Sequence, residues 1–251
     1  MSFEQDEEST REKWAAVTSW EALVDLNVEF IKSSAEGRRD VSTPYHHGPL
    51  DEETEELIPS LLHLHEYGLL TTQSQPILAS EPEYIAEQQK WYEWRQIPCV
   101  DFFFEYQSVE AHLFLSYLIN DNRLKVVWTE YRHGSISRTS HTQSIPLSFK
   151  RVSARRESLQ SEQWRVTAGL PKTVLSLDDC GFESVPAACQ GIIMGCIVIA
   201  NHKQGLYKKN KQETFLRKLA NIDVFTIVAK HAEAAGLRCS KNGGNKEKRA
   251  L

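Results

Sequence analysis

Residues 53–76 carry the side-chain types that can grip a small polar molecule: a carboxylate and a hydroxyl at Glu53-Thr54, and two further hydroxyls at Thr71 and Ser74. A carboxylate accepts from hydroxyls or faces a cation, while hydroxyls both donate and accept. Together the four can match a ligand that presents both kinds of group. Metal and nucleophile chemistry have weaker footing. The chain has no Gly-x-Ser-x-Gly elbow, no Gly-rich phosphate loop and no Cys-x-x-Cys pair. His46 and His47 are adjacent in a loop, and His63 and His65 lie two apart on an expected helix, where side chains diverge. No metal site is expected.

The elements that must position these residues follow from spacing. Asp51 suits a helix N-cap, and Glu52, Glu53, Glu55 and Glu56 suit the positive end of the helix dipole. Leu57, Leu61 and Leu64 then repeat at helical spacing, with Pro59 as a kink. Gly68 can close the helix in the left-handed region, after which residues 69–72 read as a short strand and Ser74-Gln75-Pro76 as its exit. Such a reversal returns the strand beside the helix and brings Thr71 and Ser74 toward Glu53 and Thr54.

Further along, the sequence predicts a strand through residue 104, a helix over 109–120, a strand over 124–131, and shorter strands near 145–152 and 174–177. Residues 191–200 are the longest apolar stretch. They read as a buried central strand, and residues 219–237 as a closing helix with Leu219, Val224, Ile227 and Val228 inward. Polar residues 132–142 and 153–163 read as loops. The order is α+β: a single domain with a mixed β-sheet core flanked by helices. Residues 1–13 are expected to be an acidic flexible N-terminus, 14–238 the domain, and 239–251 a basic disordered tail.

Composition narrows the function classes. With 29 basic and 34 acidic residues the net charge is −5, which does not fit a general nucleic-acid binder. The apolar stretch at 191–200 is too short to span a bilayer, so no membrane role is expected. Five cysteines, odd in number, do not read as a disulfide framework. The expected setting is soluble and cytoplasmic.

In their order, Trp14 or Trp20, Phe30, Pro49-Leu50, Glu53-Thr54, Gly68 and Leu70-Thr71-Thr72-Gln73-Ser74-Gln75-Pro76 resemble the C-terminal S-adenosylmethionine-binding regulatory domain of eukaryotic methylenetetrahydrofolate reductase. The aromatic run at 94–106 and the elements at 109–120 and 124–131 continue the resemblance, which weakens beyond about residue 135. Trp164-Arg165-Val166-Thr167 and Ala168-Gly169 look like the family's Val-Thr-x-Gly segment, and Thr167 is carried over on that basis. The resemblance implies a site for S-adenosylmethionine or S-adenosylhomocysteine at Glu53, Thr54, Thr71, Ser74 and Thr167. Tyr45, Trp91 or Trp94 are candidates to shield the sulfonium. Nothing in the chain resembles the family's flavin barrel, so neither FAD nor folate reduction is expected.

Two functions remain open on these grounds. One is a stand-alone sensor or regulatory module that binds the donor and acts on a protein partner. The other is a methyltransferase, or another donor-group transferase, acting on a small molecule through the same pocket, with His46, His47, Glu105 or His133 as candidate bases. Domains of the family pair, which allows a homodimer.

Overall fold

The computed structural model describes residues 12–14, 16–38, 41–43, 46–72, 74–132, 135–140, 145–170, 191–201 and 221–238. Helix α1 (Trp20–Ala35) starts where the Ser19 hydroxyl accepts from the Ala22 amide, and it buries Trp20, Leu23, Val24, Asn27, Phe30 and Ile31 on one stripe. A two-residue ribbon, β1 (Ser42–Thr43) with β2 (His46–His47), follows.

The acidic segment does not form one helix. Glu52–Leu57 is a 3-10 turn, and α2 (Ile58–His65) begins only at the proline. Pro59 lacks the N–H that a helix interior needs, so it sits in the first turn of α2, where that N–H has no intrahelical partner. Asp51 makes no side-chain cap bond there. Gly68, at φ 76°, turns the chain into β3 (Leu70–Thr71).

Next come β4 (Leu78–Ala79), β5 (Glu83–Ile85), β6 (Lys90–Gln96), β7 (Cys99–Glu105) and α3 (Val109–Asn120). The single strand expected to end at residue 104 is two strands, because Ile97-Pro98 interrupts the ladder where proline has no amide to donate. They are followed by β8 (Leu124–Arg132), β9 (Ser135–Thr139), β10 (Ile145–Ser153), a 3-10 turn at Arg156–Ser161, β11 (Arg165–Leu170), β12 (Ile192–Ala200) and α4 (Val224–Ala235). Residues 135–139, expected as loop, pair with β8. Cross-strand hydrogen bonding there overrides a polar composition. The expected strand at 174–177 and Leu219 lie outside the described residues.

The chain is α+β, as expected, but the core is not one mixed sheet. Two five-stranded sheets form, ordered β3-β7-β12-β8-β9 and β11-β10-β6-β4, with β5 also on β6. Every described pairing is antiparallel. Strand β12 is central in the first sheet, with Cys196 between Phe102 and Trp128. Alternation divides that sheet into two faces. Val100, Phe102, Phe104, Cys196 and Val198 pack on Phe114 and Leu118 of α3, Leu61 and Leu64 of α2, and Val224 and Val228 of α4. On the other face Phe103, Tyr131 and Ile193 meet Trp20, Leu23 and Val24 of α1, and Cys99, Asp101, Val127, Ile197 and Ile199 continue the row. Gly195 lies under the Phe103 and Tyr131 rings.

Candidate functional site

The reversal from α2 into β3 is pinned by side chains far away in sequence. Trp20 Nε1 donates to the Gly68 carbonyl at 2.8 Å, and Asn27 Nδ2 donates to the Thr71 carbonyl at 2.9 Å. Strand β3 is the sheet edge, so these two α1 side chains bond main-chain groups that no neighbouring strand covers. Asn27 Nδ2 also lies 2.7 Å from His65 Nε2, while His65 Nδ1 is 2.6 Å from the Leu61 carbonyl. A carbonyl only accepts and an amide nitrogen only donates, so His65 carries its proton on Nδ1 and is neutral. Burial lowers its pKa to about 4, with the Leu61 carbonyl acting in the opposite direction.

Past Thr71 the edge bulges. The Thr72 amide bonds the Asp101 carbonyl, and Gln75 exchanges both main-chain bonds with Cys99. Three residue steps on one strand therefore oppose two on β7, which is a β-bulge. The Ser74 hydroxyl fills the gap, accepting from the Asp101 amide at 3.2 Å and donating to the Asp101 carbonyl at 3.4 Å. Gln75 Nε2 donates to the Ile97 carbonyl at 2.7 Å, and Gln96 Nε2 to the Pro76 carbonyl at 3.2 Å. The Ser-Gln-Pro signal thus has a local physical basis: its polar atoms hold an irregular strand exit against β7.

The bulge leaves one group unmet. Thr72 Oγ1 is buried and makes no hydrogen bond among the described residues. By alternation it shares the face of Asp101, whose side chain is buried and whose negative charge reaches Cys99 and Cys196. Burial first, and that charge second, push the Cys99 thiol up to about 12. Asp101, Thr72 and the Ser74-bonded main chain form a compact polar group at the sheet edge, and sequence reasoning did not single out Thr72. A second hydroxyl next to Thr71 gave no signal that its oxygen would be the one left unpaired.

The five expected site residues fall as follows. Thr71 is buried on the Phe102 face, and Ser74 lies in the bulge. Thr54 is half-buried on the 3-10 turn, its amide bonded to the Asp51 carbonyl, and Glu53 occupies the same turn. Thr167 is on β11, in the other sheet from Thr71. Ser74 alone of the five bonds into the bulge; the Thr71 side chain is on the opposite sheet face from Thr72 and Asp101, and Glu53, Thr54 and Thr167 belong to other elements.

Of the candidate bases, Glu105 is on the Asp101 face but four residues along β7, roughly 13 Å away at strand rise. Burial and then the Glu21 carboxylate raise its pKa. His46 and His47 lie on β2, and His133 lies outside the described residues. Trp91 and Trp94 are in the second sheet, against Tyr84 and Tyr92 respectively, and Tyr45 lies outside the described residues. Among the described residues no group of three or more His, Cys, Asp and Glu side chains could hold a metal, and no helix is long and apolar enough to cross a membrane. His63 pairs at the surface with Glu66 while His65 points into the core, so the two histidines diverge as helical spacing requires.

The second sheet carries its own buried charge. Glu93 accepts from Arg151 at 2.5 Å and from Arg95 at 3.3 Å, and both guanidinium groups stack over Trp164. Glu93 on β6 and Arg151 on β10 are cross-strand partners, so the pair ties those two strands together.

No curated protein matches the chain. A family described as a domain of unknown function, DUF6919, matches residues 9–111, less than half of the chain and a stretch that includes the whole bulge together with Glu53 and Thr54.

Proposed function

We propose that the chain is a binding module for S-adenosylmethionine or S-adenosylhomocysteine, a sensor or regulatory protein whose ligand sits at the β3 bulge. The observation that carries the reading is the buried Thr72 hydroxyl without a partner beside buried Asp101. A buried unsatisfied hydroxyl is unfavourable by about 1–3 kcal/mol, and a ligand that bonds it recovers that energy. The ligand presents ribose hydroxyls, an ammonium and a sulfonium, for which hydroxyl and carboxylate partners are the complementary set. Thr72, Asp101 and Ser74 form the core of this assignment; Thr71 is on the opposite sheet face, and it, Glu53, Thr54 and Thr167 enter the assignment through the resemblance alone.

Binding without turnover is favoured over group transfer because the carboxylate candidate for a base, Glu105, stands roughly 13 Å along β7 from Asp101, beyond hydrogen-bond reach of an acceptor held at the bulge. The reading requires neither flavin nor metal. Calorimetry with S-adenosylmethionine and S-adenosylhomocysteine tests it. Saturable binding of at least one, weakened about tenfold or more in Thr72→Val and in Glu53→Ala, is the expected result. Absence of binding by both ligands, or unchanged affinity in both variants, overturns it.

A further inference from the structure

The run Leu61, His65, Asn27, Thr71 joins two helices and an edge strand through one neutral imidazole. His65 and Asn27 are both buried, and each nitrogen of the ring has a fixed role: Nδ1–H donates to the Leu61 carbonyl, and Nε2 accepts from Asn27. Protonation of Nε2 turns it into a donor facing another donor. The same Asn27 amide holds the outward carbonyl of Thr71, so the damage falls on the bond that keeps β3 docked on α1. We propose that this chain of hydrogen bonds is an acid-sensitive latch: at neutral pH it fixes the β3 edge and its bulge, and on acidification it releases that edge ahead of the helical core.

Charged groups on the surrounding elements do not offset a proton there. On α1, Asp25, Glu29 and Lys32 are exposed and Glu21 lies toward Glu105. On α2, His63 and Glu66 are exposed and paired with each other. On β7, Asp101 is on the sheet face opposite to that of Thr71. Burial lowers the ring's pKa and the Leu61 carbonyl acts against it, which keeps the ring neutral down to about pH 4. Because the folded value lies below the free value of 6.5, the unfolded chain binds more protons between those two pH values. Stability is complete above about 6.5 and falls as the pH drops toward 4. The inference is independent of any ligand.

The test compares the folding equilibrium of the full chain and of His65→Gln, which cannot titrate, from pH 7.5 to 5. The wild-type constant should fall about 30-fold more than the variant's over that range, from linkage with the two cited values. Equal pH dependence overturns the latch. Should His65→Gln fail to fold, nitrogen NMR of the wild type decides: a ring that stays neutral as the Nδ1–H tautomer at pH 5 supports the proposal, and one that titrates at or above pH 6 refutes it. Amide exchange separates local release from global unfolding. The protection factor at Thr72 should drop on acidification before those within α3 and α4, and a simultaneous loss would refute release of the edge.

Discussion

Single atoms decide the chemistry at the bulge. The Thr72 hydroxyl is buried without a partner, so a near-isosteric Thr72→Val change should leave the unliganded protein as stable or up to about 2 kcal/mol more stable, while weakening ligand binding. Denaturant midpoints measured with and without ligand separate the two effects. Ser74→Ala should do the opposite to the fold. Its hydroxyl bonds both main-chain groups of Asp101, and removing it should lower stability by about 1–3 kcal/mol through an unsatisfied amide. Gly195 is an equally sharp position. A Cβ there would lie 2.8 Å from Phe103 and 3.2 Å from Tyr131, so Gly195→Ala should destabilise by about 1–3 kcal/mol as the rings shift, measured by thermal melting.

Elements are placed by a few long-range side-chain contacts as much as by apolar stripes. Helix α1 buries Leu23, Val24 and Ile31 while Trp20 and Asn27 bond the main-chain carbonyls of Gly68 and Thr71 at the sheet edge. Trp20→Phe keeps the ring against the core but removes the bond to the Gly68 carbonyl. The expected effect is a stability loss of about 1–2 kcal/mol with faster amide exchange at Leu69 and Leu70. The α2 boundary was readable in part: Leu57, Leu61 and Leu64 gave the stripe, and Pro59 gave the interruption. Its outcome, a 3-10 turn feeding a short helix, puts the helix start at the proline, which the leucine spacing alone did not specify. Helix α3 was legible to the residue because the Ser108 cap and the apolar pattern agree.

At the scale of the molecule, two antiparallel sheets share the core, and the second contributes Phe149 and Trp164 to it. Its buried Glu93–Arg151 pair gives a stability prediction. Arg151→Met leaves Glu93 buried with the longer Arg95 contact and should destabilise by about 3 kcal/mol, whereas a double change, Glu93→Leu with Arg151→Met, should recover much of the loss. A denaturant double-mutant cycle measures the coupling, and additivity would show that the pair acts independently.

By itself the sequence determined the α+β class, the helix over 109–120, the buried strand within 191–200 and the Gly68 reversal, because each rests on spacing or on a residue whose backbone chemistry is local. Only the tertiary structure decided that the strands form two sheets, that Ser74 fills a bulge while Thr72 is left unmet, and that His65 is a buried neutral ring. Those outcomes depend on partners drawn from distant parts of the chain: Asn27 for His65 and Thr71, Asp101 for Ser74, and Trp20 for Gly68. Hydrogen-bond satisfaction in a packed interior is a property of where such groups meet, and composition and periodicity carry no record of it.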